Sequence, residues 1–320
     1  ISTFTGTAEE VRILLADTEI THSDTFAVTL TTDSTATASD LKTINTATSG
    51  IITATGVTAI SGSLSDVNDV LAAETNQGTA GQQIDLDTNF TVTLSDTGTM
   101  SASALNTLNG NVPGTVTVTA AVTLTGSASD IATAASADNA GTLALATNFG
   151  ATVSAGGVDA ADLITIYGQT SATINATAAT GINGSAANVH TVIDHAQVNH
   201  DTNFTVTISG TSAAAADLKA IDAITSGIIT ATGVETITGS LTDVGDVVDV
   251  DTSKGNAGQQ IDIDTDYNVT LSDTGNMSAS ALNTLNGKVP GTLTVTNAVT
   301  LTGSASDIAT AASADNAGTL

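Results

Sequence analysis

The chain has no cysteine and no tryptophan, and only five Phe and two Tyr in 320 residues. Without cysteine, no disulfide framework can staple it. Without aromatic bulk, its core must be built from small and β-branched side chains, which suit a thin, repetitive core better than one large one. Basic residues are nearly missing: five Lys and Arg stand against 32 Asp and Glu, a net charge of −27. Phosphate recognition needs Lys and Arg, so nucleic acid is excluded as a natural partner, and an anionic membrane surface is disfavoured. The surface is expected to be soluble and self-repelling. No run of about 18 apolar residues exists, so no membrane insertion is expected. No secretory signal is visible and the chain opens on Ile1. It is therefore expected to be a processed product or a window of something longer.

Thr, Ala, Ser, Gly, Asp and the aliphatics supply most of what is there. At 41% hydrophobic, the chain is too apolar for disorder. Repetition is its strongest signal. "TLTGSASDIATAASADNAGTL" occupies residues 123–143 and returns unchanged at 300–320, a period of 177 residues. "SGIITATGV" at 49 recurs at 226, and "SASALNTLNG" at 101 recurs at 278. Residues 1–143 thus recur as about 178–320.

A shorter period lies inside the long one. An apolar mark, usually after Asp, falls at Val11, Leu41, Val67, Leu105, Ile131, Leu163, Val189, Leu218, Val244, Leu282 and Ile308. The steps from Leu41, Leu105, Leu163, Leu218 and Leu282 to the next mark are each 26 residues, and the others are longer and uneven. Each unit has the same order. A stretch alternating apolar residues with Thr, such as "GTVTVTAAVTLTG" from Gly114, has the period of a strand. A helical segment follows, as in "SASDIATAAS", where Ser127 is the expected N-cap and Asp130 sits in the first turn. "AADLKAIDAI" from Ala215 puts Leu218, Ile221 and Ile224 near one helical face, and "ALNTLNG" from Ala104 is expected to end at Gly110. Such a unit cannot bury its apolar face alone, but it can against copies of itself. The expected fold is a β-rich repeat solenoid, with right-handed coils of parallel strands and a short helical turn per coil. About eleven coils would form one continuous array over 1–320.

Several residues are candidates for chemistry. Phe26, Phe90, Phe149, Phe204 and Tyr267 recur one per large unit, each just before a strand. Such a row could stack on sugar rings, or serve as the large groups of a thin core. Asp85 with Asp87, and Asp262 with Asp264 and Asp266, alternate along strands, so an oxygen-rich Ca²⁺ site is conceivable there, against a plain acidic edge. "HTVIDHAQVNH" gathers His190, His195 and His200 around Asp194, and His190 and Asp194 share a helical face. Zn²⁺ binding is the sharp reading and surface histidines the bland one. "TVTL" at 91, "TVTVT" at 115 and "TLTVT" at 292 place Thr on one outward face, the pattern of an ice-binding ladder or of simple strand propensity. There is no G-x-S-x-G, no H-E-x-x-H, no Walker loop and no Cys nucleophile, so no enzyme is expected.

The run "ASDLKTINTATSGIITATGVTAISGSLSDVNDV" from Ala38 resembles the repeat regions of giant secreted cell-surface proteins of marine bacteria, cyanobacteria among them, of the adhesin and haemolysin-like kind. The resemblance runs from Val11 to Ile308. It implies export to the extracellular surface and a structural part, as the stalk of an adhesin or the subunit of a filament or layer. Self-association, head-to-tail or lateral, is the expected partnership. The alternative is a binding module whose ligand is ice or polysaccharide.

Overall fold

The computed structural model describes residues 1–31, 35–75, 84–252, 261–318 and 320. Its elements are many short parallel strands in stacked sheets with helices between them, a repeating β/α arrangement. Among the described residues there are eleven helices: α1 (Ala8–Ala16), α2 (Ala38–Ala47), α3 (Leu64–Thr75), α4 (Ala102–Asn111), α5 (Ala128–Asn139), α6 (Ala160–Gln169), α7 (Ala186–Ile193), α8 (Ala215–Ile224), α9 (Leu241–Thr252), α10 (Ala279–Asn286) and α11 (Ala305–Asn316). Each apolar mark is the fourth residue of its helix. Ten of them are buried, from Val11 to Leu282. Ile308 is half-buried, because no further helix packs over α11 among the described residues.

The chain divides into two compact units, 1–152 with 165–173, and 153–164 with 174–320. In the first, Thr3–Gly6, Ala27–Leu30, Ile52–Ala54 and Ile84–Leu86 form one parallel row, and Thr35–Thr37, Ala59–Gly62, Thr91–Leu94, Val116–Val118 and Leu143–Ala144 form another. In the second, Ser212–Ala214, Thr236–Gly239, Asn268–Leu271 and Leu293–Val295 repeat that pattern. Side chains alternate in and out. Phe4, Val28, Ile52 and Ile84 fall in register on the buried side of the first row, while Thr5, Thr29, Thr53 and Asp85 fall on the other.

Strand count explains the uneven spacing of the marks. Between α2 and α3 there are two strands, Ile52–Ala54 and Ala59–Gly62. Between α3 and α4 there are three, and the third, Gly98–Ser101, founds a new row with Val122–Gly126. Between α9 and α10 the third strand, Gly275–Ser278, founds a row with Val299–Thr302. Short steps continue existing rows, and long steps add one.

Three expectations need correction. The helical part is a helix of eight to twelve residues in every coil, more than a single turn, because the apolar positions at the mark and three residues later extend the buried stripe. The strand expected from Gly114 to Gly126 is two, Val116–Val118 and Val122–Gly126, broken where the chain turns a corner. Helix α4 runs through Gly110 and stops at Val112 before Pro113, since a residue preceding proline is pushed out of the helical region. Gly287, the equivalent of Gly110, does cap α10.

The five aromatics mark a second corner. After α2, the buried Thr48 donates its Oγ1 hydrogen to Phe26 O at 2.5 Å and accepts the Gly50 N–H at 2.9 Å. Ser49 reaches Asp24 O through both its backbone N–H and its hydroxyl. Thr170 and Phe149, and Thr225 and Phe204, repeat the pattern. After α4 and α10, a Val-Pro-Gly version has Gly114 and Gly291 donate to Phe90 O and Tyr267 O, each at 3.1 Å. The close approach demands glycine, since a Cβ at residue 50 or 227 would lie 2.1 Å from the facing carbonyl oxygen. Gly227→Ala should therefore lower stability by at least ~2 kcal/mol. Gly245→Ala, inside α9 with nothing within 4 Å of its added Cβ, should stabilise by roughly 0.5–1 kcal/mol. Chemical denaturation of the two variants checks both signs.

Candidate functional site

The polar residues of each coil fall on two surfaces, a charged helix edge and the outward sides of the strands. The helix edge begins at the N-cap. Ser127 Oγ accepts the Asp130 N–H at 3.1 Å and donates to the Asp130 carboxylate at 2.7 Å. Thr37 with Asp40, Ser63 with Asp66, Ser240 with Asp243 and Ser304 with Asp307 do the same. The acid thus satisfies the cap hydroxyl and lies at the positive end of the helix dipole.

The residue after the apolar mark then reaches the next helix. Lys42 Nζ bridges Asp66 at 3.1 Å and Asp69 at 2.6 Å. Its copy Lys219 bridges Asp243 and Asp246 at the same two distances. Arg12 holds Asp40 at 2.5 Å, and His190 holds Asp217 at 2.8 Å. Asn106 and Asn283 make the uncharged version, donating to the Asp130 and Asp307 carbonyls. Lys288 pairs with Asp249. Among the described residues, Arg12, Lys42 and Lys219 thus tie one helix to the next, and Lys288, just past α10, ties back to α9. The two Lys42 hydrogen bonds, with Asp69 first, raise its pKa, and the bond from Lys42 lowers that of Asp66. Lys219 and Asp243 shift in the same directions.

The acidic candidates sit elsewhere. Asp85 is exposed on its strand, and Asp87 caps a turn by accepting the Asn89 N–H at 2.7 Å. Asp262 is half-exposed opposite Thr230. A side-chain hydrogen bond to Asp264, and then the charge of Asp264, raise the Asp266 carboxyl above its ordinary pKa. Burial and then the nearby Asp85 raise Glu74. Among the described residues, no group of three or more His, Asp or Glu side chains is placed to hold a metal ion. The histidines do not converge either. Asp194 caps α7 at its C-terminus, His190 turns to Asp217 rather than Asp194, and the His200 ring lies between the Ile193 and Asp201 carbonyls. The aromatic row is buried throughout, with Phe26 and Phe149 at 0% exposure and Tyr267 at 3%. It offers no ring face to a ligand. Burial, then Asp251, pushes the Tyr267 hydroxyl up to about 12.

The outward strand positions form hydroxyl rows. Thr37, Ser61, Thr93 and Thr117 stand in register, and their copies are Ala214, Thr238, Thr270 and Thr294. Some hydroxyls at the strand ends turn back on the preceding coil, Thr119 to Leu94 O at 3.1 Å and Thr296 to Leu271 O at 2.9 Å. The inter-helix role of Lys42 and Lys219 was missed in the sequence, although the signal was there: a cation 24 residues before an Asp in both copies. Among the described residues, no helix is long and apolar enough to cross a membrane.

Asp222 is the weak point of the edge. Its Oδ1 is buried without a hydrogen-bond partner, as is that of its copy Asn45, and burial raises its pKa. The folded state thus holds the Asp222 proton more tightly than the unfolded state, so stability is gained as pH falls. Asp222→Asn should raise the melting midpoint at pH 7, and the difference should fade as pH drops below the folded pKa of Asp222. The lysine bridges behave oppositely at acid pH. Asp66 and Asp243 stabilise above their unfolded pKa and lose that stability as pH falls through the depressed folded value. Lys42 and Lys219 lose theirs as pH rises through the raised one. Lys42→Met with Lys219→Met should lower the midpoint in low salt and change it little in about 1 M NaCl, where the Debye length is about 3 Å. Comparison of the chain with family models, with curated proteins and with solved structures finds no match in any of the three.

Proposed function

We propose that the chain is a structural segment of an extracellular protein, either the stalk of a giant adhesin or the subunit of a surface filament or layer, and not an enzyme. In this reading its strands and helices close into right-handed solenoid coils, the hand preferred by parallel crossovers. The observation that carries the proposal is the direction of the polar ties. From Arg12–Asp40 to Asn283–Asp307, the ties made by the residue after the apolar mark link a helix to the following one, and the bridge at Lys42 recurs with the same distances at Lys219. A unit whose side chains are engaged with its own neighbours is suited to repetition, and repetition builds length. The charge keeps such material hydrated and prevents collapse of one stretch onto another.

Immunogold labelling of intact, unpermeabilised cells tests this. Label should decorate surface fibres or a surface layer. Label that appears only after permeabilisation would overturn the reading.

The in-register hydroxyl row from Thr37 to Thr117 favours a second reading, a binding module for ice or polysaccharide. Hydroxyl-bearing side chains about 4.8 Å apart across strands and about 6.7 Å apart along them form a regular uncharged grid. Ala59, Ala144 and Ala214 interrupt it. Thermal hysteresis and co-sedimentation with polysaccharide separate the two readings. Under the structural reading, neither signal rises above that of a control protein.

A further inference from the structure

The chain contains six Asn-x-Ser/Thr triplets, at Asn89, Asn175, Asn183, Asn203, Asn268 and Asn276. In a chain so rich in Ser and Thr, that number carries nothing by itself. The residue two positions earlier does. It is acidic at Asn89 (Asp87), at Asn203 (Asp201) and at Asn268 (Asp266), three of the six where one residue in ten is acidic. Eukaryotic oligosaccharyltransferases need only the triplet, whereas the bacterial enzymes also ask for this acid.

The structure separates the three. Asn89 lies in the turn that enters the strand Thr91–Leu94, and Asn203 lies in the bend that enters Thr205–Ile208. Both are exposed, and neither carboxamide has a hydrogen-bond partner among the described residues. The intervening Phe90 and Phe204 anchor the corner in the core, and Thr91 and Thr205 face outward. Asn268 is committed elsewhere: its Oδ1 accepts the Thr292 N–H at 2.8 Å, and its Nδ2 points to Glu235 O at 3.4 Å. A sugar there would break the tie to the next coil. The turn itself does not require Asn, because Asp266 fills the place of Asn89 in the second copy.

We infer that Asn89 and Asn203 are N-glycosylation acceptors of the bacterial kind, and that Asn268 is not. The donor is a polyprenyl-diphosphate-linked oligosaccharide. The Asn Nδ2 bonds to the sugar C1 and gives up one proton, the C1–O bond to phosphate breaks, and the lipid diphosphate leaves. The two glycans would stand at equivalent corners, each immediately before a buried Phe, and would hydrate the surface there without touching the inter-helix bridges.

The inference rests on the extracellular reading, because the transfer occurs outside the cytoplasm. The test therefore imposes export. The full chain is fused to a signal peptide in a bacterium carrying an oligosaccharyltransferase and its lipid-linked oligosaccharide, and the material recovered from the periplasm is read by intact and peptide mass spectrometry. The expected result is two glycan increments on the unaltered chain, one on Asn89→Gln or Asn203→Gln, none on the double variant and two on Asn268→Gln. Asp87→Asn, which preserves both the turn cap and the triplet, should lose the increment at Asn89. An unmodified periplasmic chain, or increments that survive in the double variant, would overturn the proposal. A failed surface label on native cells would instead strike the extracellular reading and leave this result standing.

Discussion

Parallel strands stacked about 4.8 Å apart are the constraint on which the rest depends. Each repeat must present to its neighbour a surface that the neighbour can match at that spacing. Small and β-branched residues do this with least trouble, since Val, Ile and Thr pack well on a pleated surface and lose little rotamer freedom there. The buried rows obey the rule, with Ala36, Ile60, Val92, Val116 and Leu143 following one another in register. Most of the aromatics stand at the corners, where Phe26, Phe149 and Phe204 each fill the space ahead of a strand and offer a carbonyl to the next repeat; Phe4 alone lies within a strand row among the described residues. The scarcity of aromatics fits this stacking, and five of the seven stand at the corners where it leaves room.

The same spacing makes charge dangerous. Carboxylates placed in register on successive strands would face one another at one strand spacing with nothing between them. The protein avoids this by giving most outward strand positions to Thr and Ser and moving many acids to the first turn of the helices. There the dipole and the cap hydroxyl favour the ionised form, and helices lie farther apart than strands. Where two acids do crowd together, as at Asp264 and Asp266, the pKa of Asp266 is raised. Lys42 and Lys219 each serve two acids at once, Lys42 with Asp66 and Asp69 and Lys219 with Asp243 and Asp246. These bridges are exposed, and exposed ion pairs are individually weak. Their effect is to set the register between helices while the core supplies the stability.

Much of the fold was legible because two independent signals agreed. The apolar marks identified every helix, for the fourth helical residue faces the core and is buried wherever a neighbouring repeat covers it, as it is from Val11 to Leu282. The Ser-x-x-Asp spacing located the cap at Ser127, since the hydroxyl can reach the N–H three residues on. The new strand rows were not legible. Gly98–Ser101 and Gly275–Ser278 are only four residues long, and nothing local distinguishes a strand that founds a row from one that continues it. The histidine cluster misled for the same reason. His190 and Asp194 share a helical face, but the stronger partner for His190 comes from the next coil, and Asp217 is near only once the coils stack.

The two copies also show how far a repeat can drift before its fold notices. Asn45 in one copy stands where Asp222 stands in the other, each with a buried oxygen that has no partner, and burial raises the pKa of Asp222. Asn111 and Ala72 became Lys288 and Asp249, which then paired. Phe90 became Tyr267, and the added hydroxyl found the Lys288 carbonyl at 3.4 Å. Each change was absorbed inside one coil or between two adjacent ones. Gly50 and Gly227 did not drift, because there the neighbouring backbone itself occupies the space a side chain would need. Drift is thus permitted where a side chain faces water or a titratable group can adjust, and forbidden where one coil's backbone touches the next. That division follows from the stacking distance alone.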